Sequence, residues 1–227
     1  MTEALDSTPE PDERDIRVLL VDDHDLFRTG LRNLLEEQGV RIVGEAASGV
    51  AALDIVRESA PDVVVMDLNM PGMNGVEATR HIGREAPLTR VLVLTISDQD
   101  TDVMDAILAG ACGYLLKDAS IQDLMTGIRS AAVGESLISP HIAGKVLQHV
   151  RGTTASSEAA ATIRAELSDR EIQVLKLIAN GKDNALIAGE LHISPKTVKN
   201  HISNILMKLQ IDNRIQAAVY AVRSGIV

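Results

Sequence analysis

The chain has no tryptophan, one phenylalanine and two tyrosines among its 227 residues. An aromatic share of 1% argues against a stacking platform for single-stranded nucleic acid, which needs a ring for each bound base. A single cysteine, Cys112 in "GACGYLLK", excludes a disulfide framework. Its small apolar surroundings predict a buried filler rather than a reactive thiol. No apolar run approaches the roughly 20 residues of a membrane helix. The opening "MTEALDSTPEPDERD" is acidic and polar, unlike a signal peptide. Residues 1–15 therefore read as a disordered tail, and the chain as cytoplasmic. Glycine-rich Walker and Rossmann fingerprints are also missing, so any phosphoryl group is expected from a partner rather than from a bound nucleotide.

What is present is ordinary globular material, 45% hydrophobic and 24% charged, enough for two cores. The net charge of −10 is unevenly spread. From Glu166 onward, 8 Lys and Arg face 6 Asp and Glu, a net +2; the 14 basic and 26 acidic residues before it leave −12. Only the C-terminal part suits a phosphate backbone.

The first part alternates short apolar runs with amphipathic stretches. The runs are "IRVLLVDD", "VRIVGEAAS", "PDVVVMD", "TRVLVLT" and "CGYLLK", each followed by a helical pattern. Continuous rather than alternating apolar residues indicate strands covered on both faces. Five such units predict an α/β, flavodoxin-like, doubly wound parallel sheet over 16–135, in the order 2-1-3-4-5, with its site at the carboxyl ends of the strands. Residues 136–165 follow as a linker: a helix over 139–150, opened by Ser139 and Pro140, then the small, polar "RGTTASSEAAATIRA". Residues 166–227 read as four helices. Ser168 and Glu171 form a capping box, and Gly181 stops the first helix. Ser194 and Pro195 open the third. A short helix, a turn and a longer basic helix make a helix-turn-helix.

The predicted topology gathers chemistry at one sheet edge. Asp22 and Asp23 end the first strand, Asp67 the third, Thr95 the fourth and Lys117 the fifth. Three converging carboxylates repel one another unless a cation sits among them. An all-oxygen acidic cluster suits Mg²⁺. With a hydroxyl and an ammonium alongside, the set suits phosphoryl transfer to a carboxylate nucleophile. His24, in "DDHD", is read as a solvent-facing residue at a helix start, since Mg²⁺ prefers oxygen.

These residues carry a resemblance. Residues 16–135 resemble a response-regulator receiver domain, through Asp22-Asp23, "MDLNMPGMNG" around Asp67, "VLVLT" ending at Thr95, and "GYLLKD" with Tyr114 and Lys117. The resemblance implies that a sensor histidine kinase phosphorylates Asp67. It implies that Asp23, Asp67 and the Asn69 carbonyl ligate Mg²⁺, with Asp22 acting through water. Thr95 and Tyr114 would be the switch pair.

The third C-terminal helix carries Lys196, Thr197, Lys199, Asn200, Ser203, Asn204 and Lys208 on polar positions. Lysine reaches guanine acceptors, and asparagine pairs with adenine. Residues 166–227, from "LSDREIQVLKLIANGKDNALIAGEL" through "NRIQAA", resemble the LuxR-type helix-turn-helix. Together the two resemblances indicate a response regulator of the NarL/FixJ class. They imply double-stranded DNA as partner, with Lys199, Asn200 and Ser203 toward base edges and Lys196, Thr197, Asn204 and Lys208 toward phosphates. They also imply a homodimer in the active state, formed through Ile215, Ala218, Val219 and Val222. The expectation is a phosphorylation-gated transcription regulator, not an enzyme, in which the resting receiver occludes the third helix. Two rivals stand beside it. One is an aspartate-nucleophile phosphatase, which would want a second acid where Asn69 stands. The other is a DNA-binding protein whose receiver serves only assembly or ligand binding.

Overall fold

The computed structural model describes residues 15–138 and 166–226. The N-terminal tail to residue 14 and the expected linker over 139–165 lie outside them.

Five strands, β1 (Arg17–Val21), β2 (Arg41–Ala46), β3 (Val63–Met66), β4 (Arg90–Thr95) and β5 (Gly113–Leu116), alternate with α1 (Asp25–Glu37), α2 (Gly49–Ser59), α3 (Gly75–Glu85), α4 (Asp100–Leu108) and α5 (Ile121–Ala132). All strand pairs are parallel, in the order β2-β1-β3-β4-β5. A two-residue strand, β6 (Leu137–Ile138), extends the sheet beside β5. It falls where only linker is expected, because two residues carry no readable period.

The apolar runs are unbroken because alternate side chains enter different layers. Val18, Leu20, Val63, Val65, Leu92 and Leu94 meet α1 and α5 through Leu31, Leu35, Leu124 and Ile128. Leu19, Val21, Val64, Met66 and Val91 meet α2 and α3 through Leu53, Val56, Ala78 and Ile82. Cys112 is buried, its thiol donating to the Val91 carbonyl at 3.2 Å. Burial pushes that thiol up to about 12, which leaves it a packing residue.

The second domain comprises α6 (Asp169–Ala179), α7 (Asn184–Leu191), α8 (Pro195–Leu209) and α9 (Arg214–Arg223). Their starts are written in the sequence. Ser168 and Glu171 form a reciprocal capping box, while Asp183, Ser194 and Asn213 cap the other three. The core joins Leu175, Ile178, Ile187, Val198, Ile202, Ile205, Ala217 and Ala221. Among the described residues, no helix is long and apolar enough to cross a membrane.

A candidate phosphoacceptor pocket and candidate DNA-binding face

β1 and β3 are neighbours, so their carboxyl ends bring Asp22 and Asp67 together; both are buried. Lys117, just past β5, reaches between them. Its Nζ lies 2.6 Å from Asp22 Oδ2 and 2.8 Å from Asp67 Oδ2. Burial by itself would lower the lysine's pKa, but the two carboxylates outweigh it and hold the ammonium above its usual range. Among the described residues, the second Asp67 oxygen, Oδ1, accepts a single long bond, from the Asn69 amide at 3.4 Å.

Asp23 and His24 complete the acidic rim. One oxygen from each of Asp22, Asp23 and Asp67 and a ring nitrogen of His24 lie within 4.8 Å of one another. His24 is two-thirds exposed, yet its Nδ1 turns back to within 2.8 Å of Asp23 Oδ1 and 3.2 Å of Asp22 Oδ1. It is therefore not simply solvent-facing. Asp23 Oδ1 is buried and, among the described residues, its near neighbour is the His24 ring nitrogen, which offers a hydrogen only when it carries one. Three carboxylates gathered this closely are costly without a compensating cation and offer oxygens to a hard one, so these residues fit Mg²⁺.

Local sequence explains why Asp67 sits where it does. A methyl group at Gly75 would collide with the Asp67 carbonyl oxygen and the Leu68 backbone. Only glycine lets α3 start that close, with its amide bonded to the Leu68 carbonyl at 3.0 Å. Asn74 caps the helix by accepting from the Glu77 amide. The "NG" after the acid thus lets α3 start against the Asp67 backbone. On the β1 side, Arg28 Nη1 donates to the Asp22 carbonyl at 2.6 Å and its Nε to Glu45 at 3.2 Å. The sequence reading missed Arg28; nothing separates it from any other polar residue on an amphipathic helix.

Thr95 is buried at the end of β4, its Oγ1 accepting from the Ser97 amide at 3.4 Å. The Tyr114 ring is fully buried, with its hydroxyl donating to the Ser97 carbonyl at 2.9 Å. Burial raises its pKa, so it stays a neutral donor. Thr95 and Tyr114 thus meet at one backbone segment, residues 95–97.

On α8, Lys196, Lys199, Asn200, Ser203, Asn204 and Lys208 are exposed and Thr197 is half-buried. Three of these are engaged: Thr197 Oγ1 shares a hydrogen bond with Ser194 Oγ at 2.8 Å, and two lysines are paired. Lys208 Nζ lies 2.7 Å from Glu171, inside the α6 capping box. Burial would raise the Glu171 carboxyl, but Lys208 and the Ser168 amide and hydroxyl outweigh it and hold it below its usual range. Lys208 thus has a structural partner that its spacing did not announce. Lys199 pairs with Glu135, past the end of α5, at 3.3 Å.

The stripe expected to form a dimer divides. Ile215, Val219 and Val222 leave the helix-turn-helix core and pack on the receiver, in a cluster with Leu68, Val103, Met104, Ile107 and Tyr114. Ala218 turns instead into the helix-turn-helix core. Hydrogen bonds fix the seat. Asn213 Nδ2 donates to the Ala111 carbonyl at 3.0 Å, and Gln216 Nε2 to the Ile107 carbonyl at 2.9 Å. Asn184 Nδ2 donates to Glu135 at 3.0 Å. The receiver therefore covers α9, while most of the polar face of α8 stays open. This differs from the expected occlusion of the third helix. An amphipathic pattern shows that a stripe is covered, not by what.

Comparison with known proteins agrees with the order of the two domains along the chain. Residues 18–129 match the response regulator receiver domain, and residues 165–221 match the LuxR family of bacterial regulatory proteins. The transcriptional regulatory protein LiaR of Bacillus subtilis is 45% identical over 213 residues, covering 93% of this chain and 99% of LiaR. The crystal structure of ChrA, a response regulator of a heme-sensing two-component system, is 35% identical, covers 94% of this chain and 99% of its own, and superposes with a TM-score of 0.52. A structure of two RcsB dimers bound to two parallel DNAs is 25% identical, covers 93% of this chain and 99% of its own, and has a TM-score of 0.56. With a receiver fold ending in an acid pocket and a helix-turn-helix behind it, the chain belongs to the NarL-class response regulators that carry a LuxR-type DNA-binding domain.

Proposed function

We propose that Asp67 accepts a phosphoryl group from a partner histidine kinase, and that this event controls pairing of the chain on double-stranded DNA in the cytoplasm. A carboxylate oxygen of Asp67 forms the new bond to phosphorus. The donor's bond to phosphorus breaks, and its electron pair leaves with the donor. Oδ1, the oxygen outside the lysine bridge, is the natural nucleophile. Lys117 then shares its ammonium with a phosphoryl oxygen, and Thr95 supplies a hydroxyl. Asp23, Asp67 and the Asn69 carbonyl would hold Mg²⁺, with Asp22 one water away. When bound, the ion neutralises the acids and the phosphoryl oxygens. Asn69 stands where an aspartate-nucleophile phosphatase would keep its second acid, which argues against turnover as the function.

One observation carries the gating. Leu68, adjacent to Asp67, the Tyr114 ring, and Ile215 and Val219 of α9 share one buried cluster. A rearrangement of Thr95 and Tyr114 is therefore felt beneath α9, and two-state packing can pass it on. In this reading the resting receiver withholds the face through which two copies would pair on DNA; the base-reading face is less affected. Lys199, Asn200 and Ser203 face base edges, and Lys196, Thr197 and Asn204 face phosphates.

The test is to incubate the full chain with Mg²⁺ and a small acyl-phosphate donor beside an Asp67→Ala variant. Intact mass, sedimentation and DNA affinity are then compared. A Mg²⁺-dependent gain of one phosphoryl group, absent in the variant and accompanied by dimerisation and tighter DNA binding, supports the reading. Phosphorylation at Asp67 with unchanged assembly and DNA affinity rejects the gating.

A further inference from the structure

The chain's only phenylalanine stands in the acid pocket. Phe27, on the first turn of α1, places its ring centroid 4.7 Å from Lys117 Nζ. The ring is half-buried against the receiver core, and it lines a small cavity together with Asp22, Asp67 and Leu94. An ammonium has three donors. Two of them point at Asp22 and Asp67. The ring meets the remaining side of the cation.

We infer that Phe27 is a positioning residue for the phosphoryl-accepting pocket, holding the Lys117 ammonium in place through its π face. The inference rests on the reading of Asp67 as phosphoacceptor. Its logic is that the two carboxylate partners of Lys117 are both wanted elsewhere. Asp67 must present an oxygen to phosphorus, and Asp22 belongs to the set that would hold a cation. Phosphorylation at Oδ1 removes the carboxylate charge of Asp67, and a cation draws on that of Asp22, so each event weakens an anchor of the lysine without taking the oxygen it touches. An aromatic face attracts the ammonium electrostatically, yet it takes no proton and binds no Mg²⁺. It is an anchor that phosphoryl and metal cannot displace. A leucine at this position would fill much of the space without offering the quadrupole.

The single phenylalanine makes the test clean. Growth on fluorinated phenylalanine labels position 27 and no other phenylalanine site, and successive fluorines drain the π face while nearly preserving shape. Across the mono-, di- and pentafluoro series, the maximal rate of Mg²⁺-dependent phosphorylation by a small acyl phosphate is expected to fall stepwise, by about three- to tenfold at the end. The donor KM and the melting midpoint should stay constant. Phe27→Leu should be slow, and Phe27→Tyr should restore the rate. A flat series beside a slow Phe27→Leu overturns the inference and leaves a packing role.

A second measurement does not depend on phosphorylation. The single ¹⁹F resonance of 4-fluorophenylalanine should move on Lys117→Gln and stay put on Lys182→Gln. A resonance indifferent to Lys117 also overturns the inference. If the unlabelled chain takes up no phosphoryl group, the Asp67 reading has failed, and the resonance alone decides whether the ring holds the lysine.

Discussion

The pocket around Asp67 and the polar face of α8 are built on opposite principles. In the pocket, two buried carboxylates share one lysine, with an aromatic ring behind it. Most polar atoms there have a partner before any ligand arrives. On α8, Lys196, Asn200, Ser203 and Asn204 are exposed on a rigid helix. A pocket for small-molecule chemistry must be organised in advance, because misplacing a charge by an ångström costs rate. A DNA-reading face takes its order from the duplex it meets, and its affinity is largely counterion release.

Substitutions in the two regions should therefore behave differently. The largest effect is expected for Gly75→Ala, where the added methyl group must displace the Asp67 backbone. The receiver should lose about 3 kcal/mol or more, and phosphoryl uptake should collapse with it, as read by thermal melting and intact mass. Lys117→Met removes the cation that Asp22 and Asp67 share. It should destabilise the receiver by about 3 kcal/mol, and added Mg²⁺ should recover part of that loss, an outcome not expected for Gly75→Ala. If Mg²⁺ restores nothing, the acids do not form a cation site.

On the DNA face, Asn200→Ala should leave melting unchanged, cost about 1–3 kcal/mol in operator affinity and relax preference at one base pair. Lys196→Gln should weaken all sequences alike and lower the salt slope by about one. Between the two regimes lies Glu171. Glu171→Gln should cost the second domain about 1 kcal/mol, a cap's worth. Because the folded carboxyl titrates below its usual range, this contribution is complete above the unfolded value of about 4.3. It fades as pH falls through the folded value. Native and variant melting curves should converge in acid, and convergence in base instead would contradict the Glu171–Lys208 pair.

The same contrast explains what could be read in advance. Asp22, Asp67, Thr95 and Lys117 were legible because strand ends are set by apolar runs, and parallel topology brings those ends together. The capping box at Ser168 was legible because a cap is local. What escaped depended on surfaces meeting. The amphipathic stripe of α9 is visible in sequence, but its seat on α4 and β5 is not. That Ala218 turns inward while Ile215 and Val219 face the receiver depends on the angle at which the helix lies. The bond from Lys208 to Glu171 spans 37 residues and leaves no periodic trace. Phe27 sits at an ordinary helical position, and only the fold brings Lys117 over it.

Glu135 stands 3.3 Å from Lys199 and accepts from Asn184 at 3.0 Å, an anion held against the helix proposed to meet a polyanion. A duplex read by Lys199 would compete with this carboxylate for the same ammonium, and whichever bound would exclude the other. Binding linkage is reciprocal. If phosphorylation eases DNA binding by some factor, operator DNA must favour the phosphorylated chain by that factor. Under the proposed gating, the target site would itself be an effector, drawing the two domains apart before any kinase had acted.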